Sequence, residues 1–335
     1  MSFQLKDLYV EVTNKCSQLC THCSSCSSIS NFSEIKLEDL KSLIDDALEL
    51  GLATFTISGG EPFLYSNLLP LLEYLYRNSI TSSIYSCGVD CVNGEKKPIS
   101  ESRFLSVKEL GVKKIIFSLH GGCPETQEKI SGLSESFILL KKSLENAKKI
   151  GLDIELHTVP MTINYNELED IIAFAFNNSI KRVSFLRLVP QGRASESLLI
   201  SKQQMSMLID KIKLWEEKYA PVSIRLGTPL NCVTFDGKQC TAGLNKLLIS
   251  ATGEYFPCEA FKHLRGTRPT IYDTNVRKLW ENDELLNKLR TVTMNDISIC
   301  STCKDRESCR GGCAGQRMQF NGDVMRGPDP CCQNY

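Results

Sequence analysis

The chain has no apolar run approaching the roughly 20 residues that a membrane-spanning helix requires. Its first residues, MSFQLKDLYVEV, lack the basic-then-apolar order of a secretory leader. Neither sign of charge is in excess, since Lys plus Arg and Asp plus Glu both number 39. No global field therefore points to nucleic acid or to an anionic membrane. No internal repeat and no low-complexity tract breaks the sequence. These absences lead to the expectation of a cytoplasmic protein with no membrane and no nucleic acid among its partners, whose function must be read from local sites.

Cysteine is what the chain has in abundance, at 16 residues. Disulfide scaffolds of that density are short secreted chains, whereas this one has 335 residues, 42% of them hydrophobic, enough for a large core and roughly two domains. Thiolate ligation of metal in a reducing compartment is the better account.

From Leu8 to about Leu188, short apolar runs alternate with amphipathic stretches, the pattern of βα units around a parallel sheet. Six strands are predicted, at 8–12, 53–58, 82–86, 112–120, 153–161 and 182–189. Helices are predicted at 36–50, near 65–77, 101–110, 136–150 and 166–177, and at 202–218. The fold class is α/β, a partial (β/α)6 TIM-like barrel followed by a small cysteine-rich α+β domain. The boundary is set near 220, giving domains 1–220 and 221–335, because nine of the sixteen cysteines fall after residue 230. Ligands of such sheets sit at the C-terminal ends of the strands, where the first cysteines, SGGEP, Ser118 and Gln191 would converge.

Cys16, Cys20 and Cys23 have the spacing C-x3-C-x2-C directly after the first strand. Three thiolates hold an iron–sulfur cluster by three corners and leave one iron open to a small chelator. SGGEP at Ser58–Pro62 ends the second strand. Together with the six-unit core, these motifs resemble the radical S-adenosylmethionine (SAM) enzymes over residues 8–194. The resemblance implies that the open iron binds the amino and carboxylate groups of SAM, and that one electron splits the sulfonium to methionine and a 5′-deoxyadenosyl radical, which abstracts hydrogen from substrate. It places Gly59 and Gly60 against the ligand, the Glu61 carboxylate on the methionine ammonium, His22 near the adenine and Ser118 in contact with SAM. Arg187 and Gln191, around the segment LRLVPQGRA, become candidates for SAM or substrate. The chain has His120 where many relatives have Asp, and QEKISG where many carry Arg, which leaves the carboxylate partner open between Lys129 and others.

The second array reads Cys240-x12-Gly253-x4-Cys258, then Cys300-x2-Cys303-x5-Cys309-x3-Cys313 and finally Cys331. It resembles the SPASM extension, which carries two auxiliary [4Fe-4S] clusters in enzymes that mature peptides, sulfatases and quinone cofactors. By that resemblance Cys240, Cys258 and Cys313, with Cys232 as fourth ligand, hold one cluster, and Cys300, Cys303, Cys309 and Cys331 hold the other, with Cys332 the alternative to Cys331. Spacing alone also admits structural zinc at the C-x2-C pair.

Of the cysteines left over, Cys91, Cys123 and Cys332 read as buried fillers, while Cys26 and Cys87 are candidate hydrogen-atom donors near the catalytic mouth. Glu259, next to Cys258, stands where sulfatase-maturing relatives have an acidic base. A satisfied core position is the reading for His157, and His263 carries no strong signal.

The function implied is hydrogen abstraction from a ribosomally made peptide or protein, with SAM and three [4Fe-4S] clusters as cofactors. A reductant such as flavodoxin or ferredoxin supplies the electron. Because the first strand begins near Leu8, a separate leader-peptide-binding protein is an expected partner. The alternatives are a small-molecule dehydrogenase or epimerase, for example on a sugar, and an iron–sulfur electron carrier or scaffold without SAM chemistry.

Overall fold

The computed structural model describes residues 3–30 and 32–335. In chain order the barrel part runs β1 (Asp7–Thr13), α1 (Leu37–Glu49), β2 (Thr54–Gly59), α2 (Leu68–Arg77) and β3 (Thr81–Ser86). A hairpin of β4 (Val89–Val92) and β5 (Glu95–Pro98) follows, then α3 (Glu101–Glu109), β6 (Lys114–Ser118), α4 (Pro124–Ser131) and α5 (Ser136–Lys149). Next come β7 (Asp153–Thr158), α6 (Leu168–Asn177), β8 (Arg182–Phe185), α7 (Lys202–Lys218) and β9 (Ser223–Leu226). The remainder holds α8 (Asn231–Thr234), β10 (Lys246–Ile249), β11 (Tyr255–Phe256), α9 (Val276–Asn282), α10 (Glu284–Thr291), α11 (Arg306–Cys309) and α12 (Ala314–Asn321).

One sheet orders its strands β11-β10-β1-β2-β3-β6-β7-β8-β9, every neighbouring pair parallel except β10 with the antiparallel β11. The sheet does not close, since β9 and β11 remain edges. All six predicted strands form. Two more parallel strands, β9 and β10, come from residues beyond 220 and extend the sheet at opposite ends. The expected boundary thus falls between α7 and a strand that continues the core.

The register explains which residues face which side. Val10, Ile57, Ile84, Ile115 and Ile154 are successive cross-strand partners, all buried on the helix-covered face. Leu40, Leu43, Ile44 and Ala47 of α1 lie buried in the same core. Residues one position along a strand point the other way, so Tyr9, Glu11 and Tyr85 line the interior cavity. Ser201 opens α7 through a capping box with Gln204, which sets the start of the last barrel helix.

The C-terminal part is built differently. No buried residue after Leu286 joins the large apolar core. A small separate cluster holds Leu248, Phe256, Phe261 and Val324.

Candidate functional site

The glycines of SGGEP are fixed by the approach to the cysteine loop. Gly60 N–H donates to the carbonyl of Thr13 at 2.7 Å and Glu61 N–H to that of Lys15 at 2.8 Å. A Cβ on Gly59 would lie 2.0 Å from the Thr13 carbonyl oxygen, and one on Gly60 2.2 Å from that of Lys15. Any side chain here would push the loop off the strand end. The sequence reading put the glycines against the ligand; they do line the cavity, but backbone packing already excludes a Cβ.

Cys16, Cys20 and Cys23 all line a cavity of ≈ 760 Å³ at the C-terminal ends of the strands. Backbone N–H groups point at two of the sulfurs, Gln18 at Cys16 and Ser27 at Cys23, each at 3.4 Å. Such donors stabilise thiolates over thiols, and this suits the donor set to a thiolate-bound cluster. Among the described residues no three His, Cys, Asp or Glu side chains converge on one point as a single metal ion would require. The cysteines ring spaces instead.

His22, Gly59, Gly60, Ser118, Cys87 and Glu259 also line this cavity, as do Cys240, Cys258 and Cys313 from the C-terminal part. The rings of His22 and His120 meet edge to face with centroids 4.3 Å apart. Burial pushes the His22 pKa down to about 4, and the Arg193 charge acts in the same direction. His22 is therefore neutral near pH 7 and presents an uncharged ring to the cavity.

The structure gives several of the expected site residues partners or positions that spacing did not indicate. Glu61 is fully buried and is not among the cavity-lining residues. Its carboxylate accepts from Cys87 N–H at 2.7 Å, Phe63 N–H at 3.1 Å and the Ser86 hydroxyl at 2.9 and 3.0 Å. Burial holds its pKa up at about 7 against those bonds. It locks the turn to the end of β3. Arg187 lines the cavity, but its guanidinium is already held by Asp329 in two bonds of 2.8 Å and donates to the Pro229 carbonyl at 3.0 Å. It ties the barrel to the chain's end. Cys26, at a left-handed backbone position (φ 52°), is exposed and does not line the cavity, although Ser25 and Ser27 on either side of it do. Of the two candidate hydrogen donors only Cys87 reaches the cavity, and there its thiol lies against Cys16.

The C-terminal cysteines also group differently from the expectation. Cys300, Cys303 and Cys309 surround a small space of ≈ 20 Å³ together with Cys332 and Cys232, while Cys331 is not part of it. The cause is local. Asp329 Oδ1 accepts the Cys331 N–H at 2.7 Å, and the Asp329 carbonyl accepts that of Cys332 at 2.8 Å. This turn sets Cys331 beside Arg187 and aims Cys332 at the other three. Cys232 sits on that side too, apart from the cavity lined by Cys240, Cys258 and Cys313.

Sequence reasoning missed a buried lysine. Lys262 Nζ lies 2.6 Å from Glu11 and 3.1 Å from Glu259, and it donates to Ser24 at 3.3 Å and Ser25 at 2.5 Å. Burial lowers its pKa, but Glu11 and Glu259 outweigh burial and hold it raised, so the ammonium persists. Ser24, from the cysteine loop, also hydrogen-bonds Glu259. The knot fastens the loop, β1 and the segment after Cys258 to one another. Glu11 and Lys262 are 251 positions apart, so spacing could not pair them. Gln191 adds to it, donating to the Glu259 carbonyl at 2.7 Å. His157 is buried with its Nε2 3.0 Å from Glu155 but its Nδ1 has no hydrogen-bond partner among the described residues, so only one of its ring nitrogens is satisfied, and the Nδ1 of the half-buried His263 lies 3.1 Å from the Ala260 carbonyl.

An open parallel α/β barrel with a three-cysteine loop at its mouth defines a class of iron–sulfur enzymes that bind their cofactor at the strand ends. Residues 10–175 match the Radical SAM superfamily, and the chain belongs to it. Three relatives span nearly the whole chain. They are the mycofactocin maturase MftC of Mycolicibacterium smegmatis (25% identical, 96% of this chain and 81% of that one), the PqqA peptide cyclase of Rhizobium meliloti (24%, 97% and 86%) and the AdoMet-dependent heme synthase of Oleidesulfovibrio alaskensis (23%, 96% and 85%). The fold is shared with Streptococcus suis SuiB bound to its precursor peptide SuiA, with a TM-score of 0.79 over 99% of this chain and 76% of SuiB at 19% identity. SAM and one [4Fe-4S] cluster come with the superfamily. No helix among the described residues is long and apolar enough to cross a membrane.

Proposed function

We propose that this chain is a radical SAM enzyme that modifies a ribosomally made peptide. The observation that carries the reading is the single ≈ 760 Å³ cavity shared by the cysteine loop, Glu259 and three cysteines of the C-terminal part. A space of that size takes a cofactor and a segment of substrate together. Relatives named for a peptide substrate support the choice.

In this reading Cys16, Cys20 and Cys23 hold the SAM-binding cluster, and His22, Gly59, Gly60 and Ser118 line the SAM site. When bound and reduced, cluster and SAM supply the 5′-deoxyadenosyl radical. Two auxiliary [4Fe-4S] clusters complete the set. One is held by Cys240, Cys258 and Cys313 at the cavity, the other by Cys300, Cys303, Cys309 and Cys332. Cys87 lies at the wall beside Cys16, a donor position for a substrate radical. Glu259, about half exposed to the cavity and held by Lys262 and Ser24, is the base that takes a proton from substrate. A flavodoxin or ferredoxin supplies electrons, and a separate protein presents the leader of the peptide. The compartment is the cytoplasm.

The test is co-expression with the short open reading frames neighbouring this gene, followed by mass spectrometry of the peptides. A mass change that disappears in Cys16→Ala is expected. Unaltered peptides, with SAM cleaved only when a tetrapyrrole or sugar is added, would favour the small-molecule reading.

A further inference from the structure

The superfamily reaction requires a partner for the carboxylate of SAM, and the cations at the cavity can be separated by what already holds them. Arg187 is bound by Asp329, and Lys238 by Asp236 at 2.5 Å. Arg225 and Lys246 lie on β9 and β10, away from the cysteine loop; the first donates to Ser184 at 3.0 Å, and the second sits 4.2 Å over the Tyr9 ring. Lys129, on α4, is exposed and does not line the cavity. Arg193 remains.

Arg193 grips the cysteine loop at three points. Its backbone N–H donates to the Cys23 carbonyl at 2.9 Å, its Nε to that of Cys20 at 2.8 Å and its Nη1 to that of Ser27 at 2.9 Å. Gly192 before it adopts φ +63° and packs so tightly that a Cβ would lie 2.4 Å from the Ser24 carbonyl oxygen, so this approach tolerates no side chain. With Nε and Nη1 committed to carbonyls, the planar guanidinium fixes the direction of Nη2. Nη2 is buried and has no hydrogen-bond partner among the described residues. A buried donor without a partner is costly, and a carboxylate is the complementary ligand for a guanidinium N–H.

We propose that Arg193 is a SAM-binding residue, whose Nη2 receives the methionyl carboxylate while its other nitrogens hold the loop in shape. One residue thereby couples the geometry of the cysteine loop to occupancy of the open iron. The proposal rests on Cys16, Cys20 and Cys23 holding the SAM-binding cluster.

The experiment is equilibrium binding of SAM and of decarboxylated SAM to anaerobically reconstituted full-length protein, for wild type, Arg193→Gln and Arg193→Lys, with iron per chain measured in parallel. Loss of one charge-assisted bond weakens SAM binding about tenfold to a hundredfold in Arg193→Gln. Decarboxylated SAM binds both proteins alike, so the preference for the carboxylate shrinks by the same factor. If Arg193→Gln takes up no cluster, Arg193→Lys decides, since one ammonium cannot serve two carbonyls and a carboxylate together; it should lose about tenfold in SAM affinity alone. Undiminished preference for SAM over the decarboxylated compound in the cluster-loaded variant overturns the proposal. Wild-type protein that binds no SAM counts against the cluster assignment itself.

Discussion

The two cysteine-bearing regions are held in place by different physics. The N-terminal loop hangs from a parallel sheet whose helix-covered face is buried in one large apolar core, and glycine packing, Arg193 and Lys262 fix its shape. Residues 292–335 contribute no buried side chain to that core, and Val324 alone to the smaller one. That part carries six cysteines, Cys313 buried and the other five partly buried, beside the buried polar side chains of Gln316, Arg317 and Asp329. Burial raises the pKa of Cys309 and Cys313 to about 11 each, so as free thiols they stay protonated. Bound metal would reverse that, and its ligand bonds would supply the stability that apolar burial does not. On the proposed reading the barrel is a preformed site, whereas the C-terminal part would draw stability from the clusters it binds.

Removing bound metal should sharpen this contrast most strongly. After anaerobic chelation, residues 292–335 are expected to lose hydrogen-exchange protection throughout while β1, β2, β3, β6 and β7 keep theirs. Uniform loss, or none, would remove the distinction. A smaller effect is expected where the regions meet. Glu259→Gln should lower modified product by roughly 10²–10⁴ with iron content unchanged, and Glu259→Asp should restore part of it; rates that stay at wild type would leave Glu259 a merely structural acid.

One buried tie between the regions is the Arg187–Asp329 pair, with side chains only 4% and 1% exposed. Asp329→Asn leaves the guanidinium buried without its counter-charge and should cost about 3–5 kcal/mol, read as a lower denaturation midpoint. Replacing both partners with apolar residues should recover most of the loss. The least effect belongs to the barrel floor. Burial raises the pKa of Glu155, but hydrogen bonds from His157, Ser184 and Lys114 outweigh it and hold the carboxyl well below its usual range. A depressed carboxylate stabilises the fold above the unfolded value and stops doing so as pH falls through the folded one. Wild type should therefore lose stability progressively below about pH 4, and Glu155→Gln should flatten that slope while costing about 1–2 kcal/mol at neutral pH. An unchanged acid slope in the variant would assign the loss to other carboxylates.

The barrel was the more legible region. Its strands carry four to seven residues of β-branched and aromatic character, and its helices repeat apolar positions at helical spacing, so α7 at Lys202–Lys218 and α1 at Leu37–Glu49 fall where periodicity put them. SIRL and KLLI were not legible as barrel strands, because four residues with a charge inside carry almost no period. Motif spacing brought out the cysteines and the Gly-Gly turn, since ligation and close packing demand residue types at fixed intervals. It could not say that Glu61 faces β3 or that Arg187 is taken by Asp329. Those facts depend on partners 25 and 142 positions away. Arg193 stood in the noted segment LRLVPQGRA, and its proximity to Cys20, 173 positions distant, is a property of the closed fold. The choice between Cys331 and Cys332 turned on one Asp329-centred turn that spacing does not record.

Iron, acid-labile sulfide and zinc per chain after anaerobic reconstitution test the account most directly, in wild type and in a variant with Cys300 and Cys303 replaced by serine. About twelve irons with matching sulfide in the wild type, and about eight in the variant, are the predicted result for one SAM-binding and two auxiliary clusters. About four irons in both, with zinc in the wild type alone, would contradict it and leave the C-terminal cysteines a structural zinc site.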